Sequence, residues 1–281
     1  MQTIHIGNLD NDLYERQKRI SWWDQDKISK AKVLIVGVGA LGNEICKNLA
    51  QCGIGKMFIV DYDRIVKSNL NRCILFTHND IGKEKAKVTA KRVMELFPDV
   101  KAEPIFERIE EIDESIYQNI DLAISGLDNI DVRLTLNAFC YYYNIPLVDG
   151  GTHGMRGMVQ VVIPPSSACL QCRWRSLSAD ILSKKYSCAG EVMAVFEPKV
   201  PALSTSTSVI GGIQAREAIK ILQNIDYYRK NKKWPEGIVV LENKYLYYDG
   251  ERNIYDITNV SINPNCEIHK YRGKEICRKE L

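Results

Sequence analysis

Val33-Leu34-Ile35-Val36-Gly37-Val38-Gly39-Ala40-Leu41-Gly42 decides the fold of this chain. It reads as a buried β-strand that enters a tight glycine turn and continues into a helix. Gly37 permits the turn, Gly39 lets the backbone approach a ligand, and Gly42 lets helix and strand pack closely. Asp61 follows at the end of a second apolar run, Met57-Phe58-Ile59-Val60. A carboxylate there can accept hydrogen bonds from ribose hydroxyls. The layout is that of an adenine-nucleotide site, and by itself it does not say which nucleotide.

Working outward, the segment from Lys32 to Asp149 alternates strands and helices. Strands are expected at 33–36, 57–61, 102–106, 121–125 and 146–149, and helices at 41–52, 83–96 and 130–143. Short apolar strands separated by helices imply a parallel sheet covered on both faces. Before it, residues 10–30 read as a helical arm with Leu13, Ile20, Trp22, Trp23 and Ile28 among charges. After Gly150 the style changes. Met158 to Ile163 is a strand ended by Pro164-Pro165. Residues 174–200 read as a long polar loop. Ser204 to Leu222 reads as a helix with hydroxyls at its start, and 238–262 as short alternating strands. The expected fold class is therefore α/β. A doubly wound, mostly parallel, Rossmann-like sheet is extended by antiparallel strands. The division is an N-terminal arm (1–30), a nucleotide-binding core (31–165) and a C-terminal part (166–281) packed on that core.

With 281 residues, 45% of them hydrophobic, the chain can bury a sizeable core. Its formal net charge is only +3, with both signs mixed along the sequence, so neither a nucleic acid nor a membrane is expected as a partner. No apolar run approaches the roughly 18 residues of a membrane span. The first residues carry neither a basic flank nor an apolar signal core. A soluble cytoplasmic protein is expected. Nine cysteines, an odd number without an export signal, argue against a disulfide framework.

Further features fall after strands or at helix starts, the connections that converge on one crevice of an open parallel sheet. They are Asn69-Leu70-Asn71-Arg72 with Asp61 and Asp63 upstream, then Lys85, then Asp128-Asn129 with Arg133 and Asn137 following. Arg72 and Lys85 supply positive charge for a polyphosphate, and Asp128 could hold Mg²⁺. Hydride transfer needs no such set, whereas nucleotidyl transfer does, because charge builds on the α-phosphate and on leaving pyrophosphate. Bland readings exist for each: Lys85 as a solvated lysine beside Lys83 and Lys87, Asp128-Asn129 as a helix cap, His153 as structural, and Cys46, Cys52 and Cys140 as core. A separate signal is metal-type spacing. Cys169-Leu170-Gln171-Cys172 is matched near the C-terminus by Cys266-Glu267-Ile268-His269, a set suited to structural Zn²⁺. Cys277 is a substitute ligand.

In these motifs the chain resembles the family of ubiquitin-activating enzymes and the related molybdopterin-synthase and thiazole-pathway adenylyltransferases. The resemblance covers about residues 14–225, with a weaker tail to about 270. It is carried by Arg16-Gln17, Gly37, Gly39, Gly42, Asp61, Asp63, Asn69, Arg72, Lys85, Asp128, Asn129, Arg133 and Asn137. The family usually has glutamine where this chain has Cys73, so the local hydrogen bonding there departs from the pattern.

The resemblance implies that the C-terminal glycine of a ubiquitin-like protein ending in Gly-Gly attacks the α-phosphate of Mg-ATP, giving an acyl-adenylate. Arg72 and Lys85 would stabilise phosphates, Asp128 would bind Mg²⁺, and Arg16 would reach into the other subunit's site in a homodimer. Cys188 lies where some members form a thioester or a persulfide-linked intermediate, with a conjugating enzyme or a sulfur donor as further partner. Lys184 and Lys185 would lower its pKa. The runner-up is an adenylyltransferase for a ubiquitin-fold sulfur carrier in molybdopterin, thiamine or tRNA thiolation pathways; the other rivals are an adenylyltransferase acting on a small peptide or tRNA base, an NAD-dependent dehydrogenase, and a non-catalytic scaffold.

Overall fold

The computed structural model describes residues 12–173 and 201–270. They build one eight-stranded sheet flanked by helices on both faces. In chain order come α1 (Glu15–Lys18), α2 (Gln25–Lys30), β1 (Lys32–Val36), α3 (Ala40–Gln51), β2 (Lys56–Val60), α4 (Lys85–Leu96), β3 (Lys101–Ile105) and α5 (Glu114–Gln118). Next are β4 (Leu122–Ser125), α6 (Ile130–Tyr142), β5 (Leu147–His153), β6 (Arg156–Val162) and α7 (Leu170–Arg173). The last are α8 (Ser204–Asn231), β7 (Lys244–Asp249), β8 (Ile254–Asn259) and α9 (Glu267–Lys270).

The sheet order is β3-β2-β1-β4-β5-β6-β7-β8. The five strands from β3 to β5 pair in parallel, and β6, β7 and β8 add antiparallel. The expected α/β sheet with an antiparallel extension is thus the observed one. Alternate residues of the central strands serve opposite faces. Val33, Ile35, Met57 and Ile59 pack under α3, α4 and α8, with Leu41, Ile45 and Ile213 in the same cluster. Leu34, Val36, Phe58 and Val60 face α5 and α6, against Tyr117, Leu136 and Phe139. Being buried on both faces is why these strands read as unbroken apolar runs.

The chain runs from β1 outward to β2 and β3, then returns to place β4 on the other side of β1. That reversal opens a crevice at the carboxyl ends of β1 and β4, where ligands of such sheets bind.

Several local expectations are refined. The N-terminal arm, helical over α1 and α2 as expected, is docked on the core in its described part. Gln17 donates to the Cys52 carbonyl at 2.9 Å, Ile28 is fully buried, and a Cβ on Gly53 would lie 2.6 Å from the Tyr14 ring. Helix α8 runs past Leu222 to Asn231 and is not capped by a hydroxyl. Its N-cap is Leu203, and Thr207 donates instead to the Ser204 carbonyl. Cys46 and Cys140 are core as expected, whereas Cys52 is the half-buried C-cap of α3. The polar stretch 174–200 lies outside the described residues.

Candidate functional site

A cavity of about 860 Å³ opens at the crevice, within the usual size of small-molecule sites of roughly 300–1,000 Å³. Its floor is the glycine loop. Gly37 adopts φ +82°, a left-handed conformation that favours glycine. A Cβ on Gly42 would stand 2.1 Å from the Gly37 carbonyl oxygen, and one on Gly126 2.3 Å from the same atom. Gly42 therefore acts from behind the loop, by close packing, and does not line the cavity. Gly39 does line it, and a side chain there would meet no described atom within 4 Å. Gly39 is also the N-cap of α3, so the positive end of that helix faces the cavity, a ready anion site.

Asp61 braces this loop. One carboxylate oxygen accepts from the Val38 N–H at 2.8 Å and the other from the Asp63 N–H at 2.8 Å. Burial pushes its carboxyl up from the ordinary value, against the pull of Lys85 and these two N–H groups. Each oxygen keeps a lone pair for a ligand hydroxyl. Asn69 lines the wall while its side chain accepts from the Val66 N–H at 2.9 Å.

Lys85 is not a solvated lysine. It is buried at the first position of α4, and its Nζ donates to Asp63 at 2.7 Å. Its neighbours Lys83 and Lys87 expose more than half of their side chains, 58% and 65%. Burial opposes the charge on Lys85, but Asp61 and the hydrogen-bonded Asp63 outweigh it and raise its pKa. Lys85 is therefore a permanent cation aimed into the cavity. Arg72 lines the same wall and donates to the Ser68 carbonyl at 2.6 Å and to Asn71 at 2.9 Å.

On the β4 side, Asn129 is the N-cap of α6, its side chain accepting from the Asp131 N–H at 2.8 Å. The cap reading is thus right for Asn129, and it leaves the exposed Asp128 carboxylate on the cavity wall. One turn on, Arg133 reaches the cavity and forms a two-pronged ion pair with the fully buried Asp149 of β5, its Nε lying 2.8 Å from one oxygen. Asn137 serves structure, accepting from the Leu170 N–H at 3.1 Å.

Sequence reading missed the far wall. Arg156 and Met158 of β6 and Tyr245 and Tyr247 of β7 line the cavity, brought together by the register Met158↔Tyr247 and Arg156↔Asp249. The alternation Tyr245, Tyr247, Asp249 was a period-two signal, but only strand pairing says which cavity it faces. His153, read as structural, is exposed on the rim.

On the face of the sheet covered by α5 and α6, Cys169, Cys172, Cys266 and His269 converge, their ligand atoms all within 4.8 Å of one another. The sulfurs of Cys169 and Cys172 lie 3.7 Å apart, those of Cys169 and Cys266 3.5 Å, and Cys172 Sγ is 3.3 Å from His269 Nε2. A tetrahedral zinc with bonds of about 2.3 Å to sulfur sets sulfur–sulfur edges of roughly 3.8 Å. The donor set and spacing fit, so this cluster could hold zinc as a closed structural site. His269 occupies the fourth position; Cys277 lies outside the described residues, as do Cys188, Lys184 and Lys185. Arg16 is not in its own chain's cavity. Its side chain is 82% exposed on α1, beside Glu15.

A family model described as the ThiF family matches residues 14–268. The Nedd8-activating enzyme E1 catalytic subunit of Drosophila melanogaster is 38% identical over 157 residues, covering 51% of this chain and 35% of that protein. The ubiquitin-like modifier-activating enzyme 1 of Homo sapiens is 40% identical over 152 residues, covering 50% of this chain and 14% of that one. The chain thus spans about a third or less of the length of these two relatives. Among solved structures, that of E. coli MccB with ATP superposes with a TM-score of 0.71 at 20% identity, covering 94% of this chain and 75% of that chain.

Elemental analysis of freshly purified protein should find about one zinc per chain. Stripping it with a chelator, or Cys172→Ser, should lower the melting temperature, because such sites contribute directly to folding. Fresh protein devoid of zinc and as stable as the chelator-treated sample would remove the assignment.

Proposed function

The chain belongs to the ThiF family, and on that premise we propose that it adenylates the C-terminal carboxylate of a ubiquitin-like protein at the expense of ATP. The observation that carries this reading is the buried, permanently charged Lys85 set beside Asp61, Asp63 and Arg72 in one cavity with the glycine loop. A dinucleotide site for hydride transfer has no use for that cation.

A carboxylate oxygen of the terminal glycine attacks the α-phosphorus, the bond to the pyrophosphate oxygen breaks, and acyl-adenylate and pyrophosphate result. Negative charge grows on the phosphate oxygens and on the leaving group. Fixed cations aimed at that charge supply most of the acceleration, since they need no reorganisation during the step. The Gly37–Gly39 backbone and the α3 N-terminus receive phosphates. Asp61 accepts from the ribose. Lys85 exchanges Asp63 for a phosphate oxygen, and Arg72 meets the leaving pyrophosphate. Magnesium commonly rests on one or two carboxylates plus substrate phosphates, a role that fits Asp128, exposed on the wall. The ion would supply further charge neutralisation there. Arg133, held by Asp149, keeps the β5 wall rigid next to Gly151, where a Cβ would lie 3.1 Å from its guanidinium.

ATP–pyrophosphate exchange tests this directly. It should depend on a ubiquitin-like protein ending in Gly-Gly, and Lys85→Ala or Asp128→Ala should each cut it by about 10²–10³-fold. Near-wild-type exchange in either variant would break the residue assignment. Exchange driven instead by a short peptide would replace the substrate.

Arg16, exposed on its own subunit, serves the partner's cavity in a homodimer. Mixing inactive Arg16→Ala and Lys85→Ala subunits should then restore activity, since one cavity of each mixed dimer is intact. No recovery in verified mixed dimers would place Arg16 outside the reaction.

A second step transfers the acyl group to a thiol, which attacks the acyl-adenylate carbonyl and expels AMP. Of the nine cysteines, seven are described. Burial raises Cys46 and Cys140 and pushes Cys52 and Cys73 up to about 11, and three belong to the metal cluster. Of the remaining two, Cys188 and Cys277, Cys188 is the nucleophile of this reading, because it lies where the resemblance places such a thiol. Cys188→Ala should spare exchange and abolish a reductant-sensitive adduct; an adduct that survives would move the thiol elsewhere.

A further inference from the structure

The metal cluster differs in kind at one ligand. A thiolate can bind a metal through any of its lone pairs, whereas a neutral imidazole binds only through the nitrogen that lacks a proton. A histidine ligand therefore has to be presented as one tautomer, and something must set it.

Tyr141, at the C-terminal end of α6, touches His269 through both its ring and its hydroxyl. The ring centroids lie 4.7 Å apart, and the hydroxyl oxygen is 3.0 Å from His269 Nδ1. The same oxygen lies 3.1 Å from the Pro165 carbonyl and 3.4 Å from the Ser167 carbonyl. A carbonyl oxygen only accepts, and a tyrosine hydroxyl has one proton to give. If that proton went to Nδ1, two carbonyls would face the hydroxyl lone pairs with no hydrogen between them. Donation to a carbonyl leaves the hydroxyl oxygen to accept from Nδ1–H. The proton of the neutral ring is then on Nδ1, and Nε2 carries the bare lone pair. Nε2 is the atom 3.3 Å from Cys172 Sγ, inside the cluster.

We propose that Tyr141 is the positioning residue of the metal centre, fixing His269 as the Nδ1–H tautomer so that Nε2 completes the ligand set. This rests on the reading of the cluster as a zinc site. The direction of the hydrogen bond is enforced by the carbonyls of Pro165 and Ser167, in the segment that leads into Cys169. One hydroxyl thus joins the two halves of a site whose ligand pairs, Cys169 with Cys172 and Cys266 with His269, are 97 residues apart.

The test is a zinc titration of the metal-stripped 281-residue chain against a chromophoric chelator, in two backgrounds. Tyr141→Phe keeps the ring and removes the hydroxyl, and should weaken zinc by about 10- to 100-fold. His269→Cys replaces imidazole by a thiolate that has no tautomer to set, so adding Tyr141→Phe there should leave affinity unchanged. Equal losses in both backgrounds would mean a merely structural tyrosine, and no loss in the wild-type background would leave it idle; either result overturns the proposal. A wild-type chain that takes up no zinc sinks the metal reading itself, and the proposal with it. Nitrogen-15 spectra of labelled histidine in the unmutated chain provide a check that needs no variant. A proton on Nδ1 with ligation through Nε2 is expected; ligation through Nδ1, or a metal-free chain protonated at Nε2, overturns it.

Discussion

The structure depends on one crowded point, the carbonyl oxygen of Gly37. Side chains on Gly42 or Gly126 would lie 2.1 and 2.3 Å from it, closer than any Cβ tolerates. Three backbones meet there with nothing between them: the end of β1, the first turn of α3 and the connection after β4. Their contact brings the α3 N-terminus and the β4 connection to the same crevice and sets the distance across the cavity floor. Overpacking of this kind costs about 1–3 kcal/mol or more in ordinary cores. Here it would also spread the elements that carry Asp61, Asp128 and the α3 N-terminus around the cavity.

On that floor the chain maintains buried charge, which is costly unless paired. Lys85 is matched by Asp63 and Asp61, and Arg133 by Asp149. The two pairs differ in use. Asp149 is fully buried, and its pairing locks a wall. Asp63 leaves 54% of its side chain exposed, so its contact with Lys85 can yield to a phosphate without stranding a carboxylate in the interior. Preorganised positive charge with one yielding counter-ion is what nucleotidyl transfer requires.

The cysteine–histidine cluster solves a different problem. It lies on the face covered by α5 and α6, within the same apolar cluster as Leu136 and Phe139, and draws Cys266 and His269 back onto the body of the protein. Its link through Tyr141 reaches α6, the helix whose other end presents Asp128 and Asn129 to the cavity. The helix thus stands between the cysteine–histidine cluster at its C-terminal end and the cavity at its N-terminal end.

Whatever follows from local sterics and periodicity could be read in the sequence. The apolar run into Gly37, Gly39 and Gly42 meant strand, turn and helix because few other residues allow that path. Strands alternating with helices meant a parallel sheet, and Cys169-x-x-Cys172 with Cys266-x-x-His269 pointed to four side chains that converge and could hold a metal. Gly37, Gly39, Asp61, Asp63, Asn69, Arg72, Lys85, Asp128 and Asn129 were all named from sequence and all line one cavity. Their burial and partners were not legible. Lys85 stands between two lysines in sequence, and only the packing of α4 buries it and exposes them. Arg156, Tyr245 and Tyr247 reach the site through the register of β6 and β7, and the buried Asp149 acts on it through Arg133. Tyr141 meets His269 across 128 residues. Such contacts are decided where sheet faces and helix ends come to rest, and that depends on the sum of all the packing rather than on any local stretch of chain.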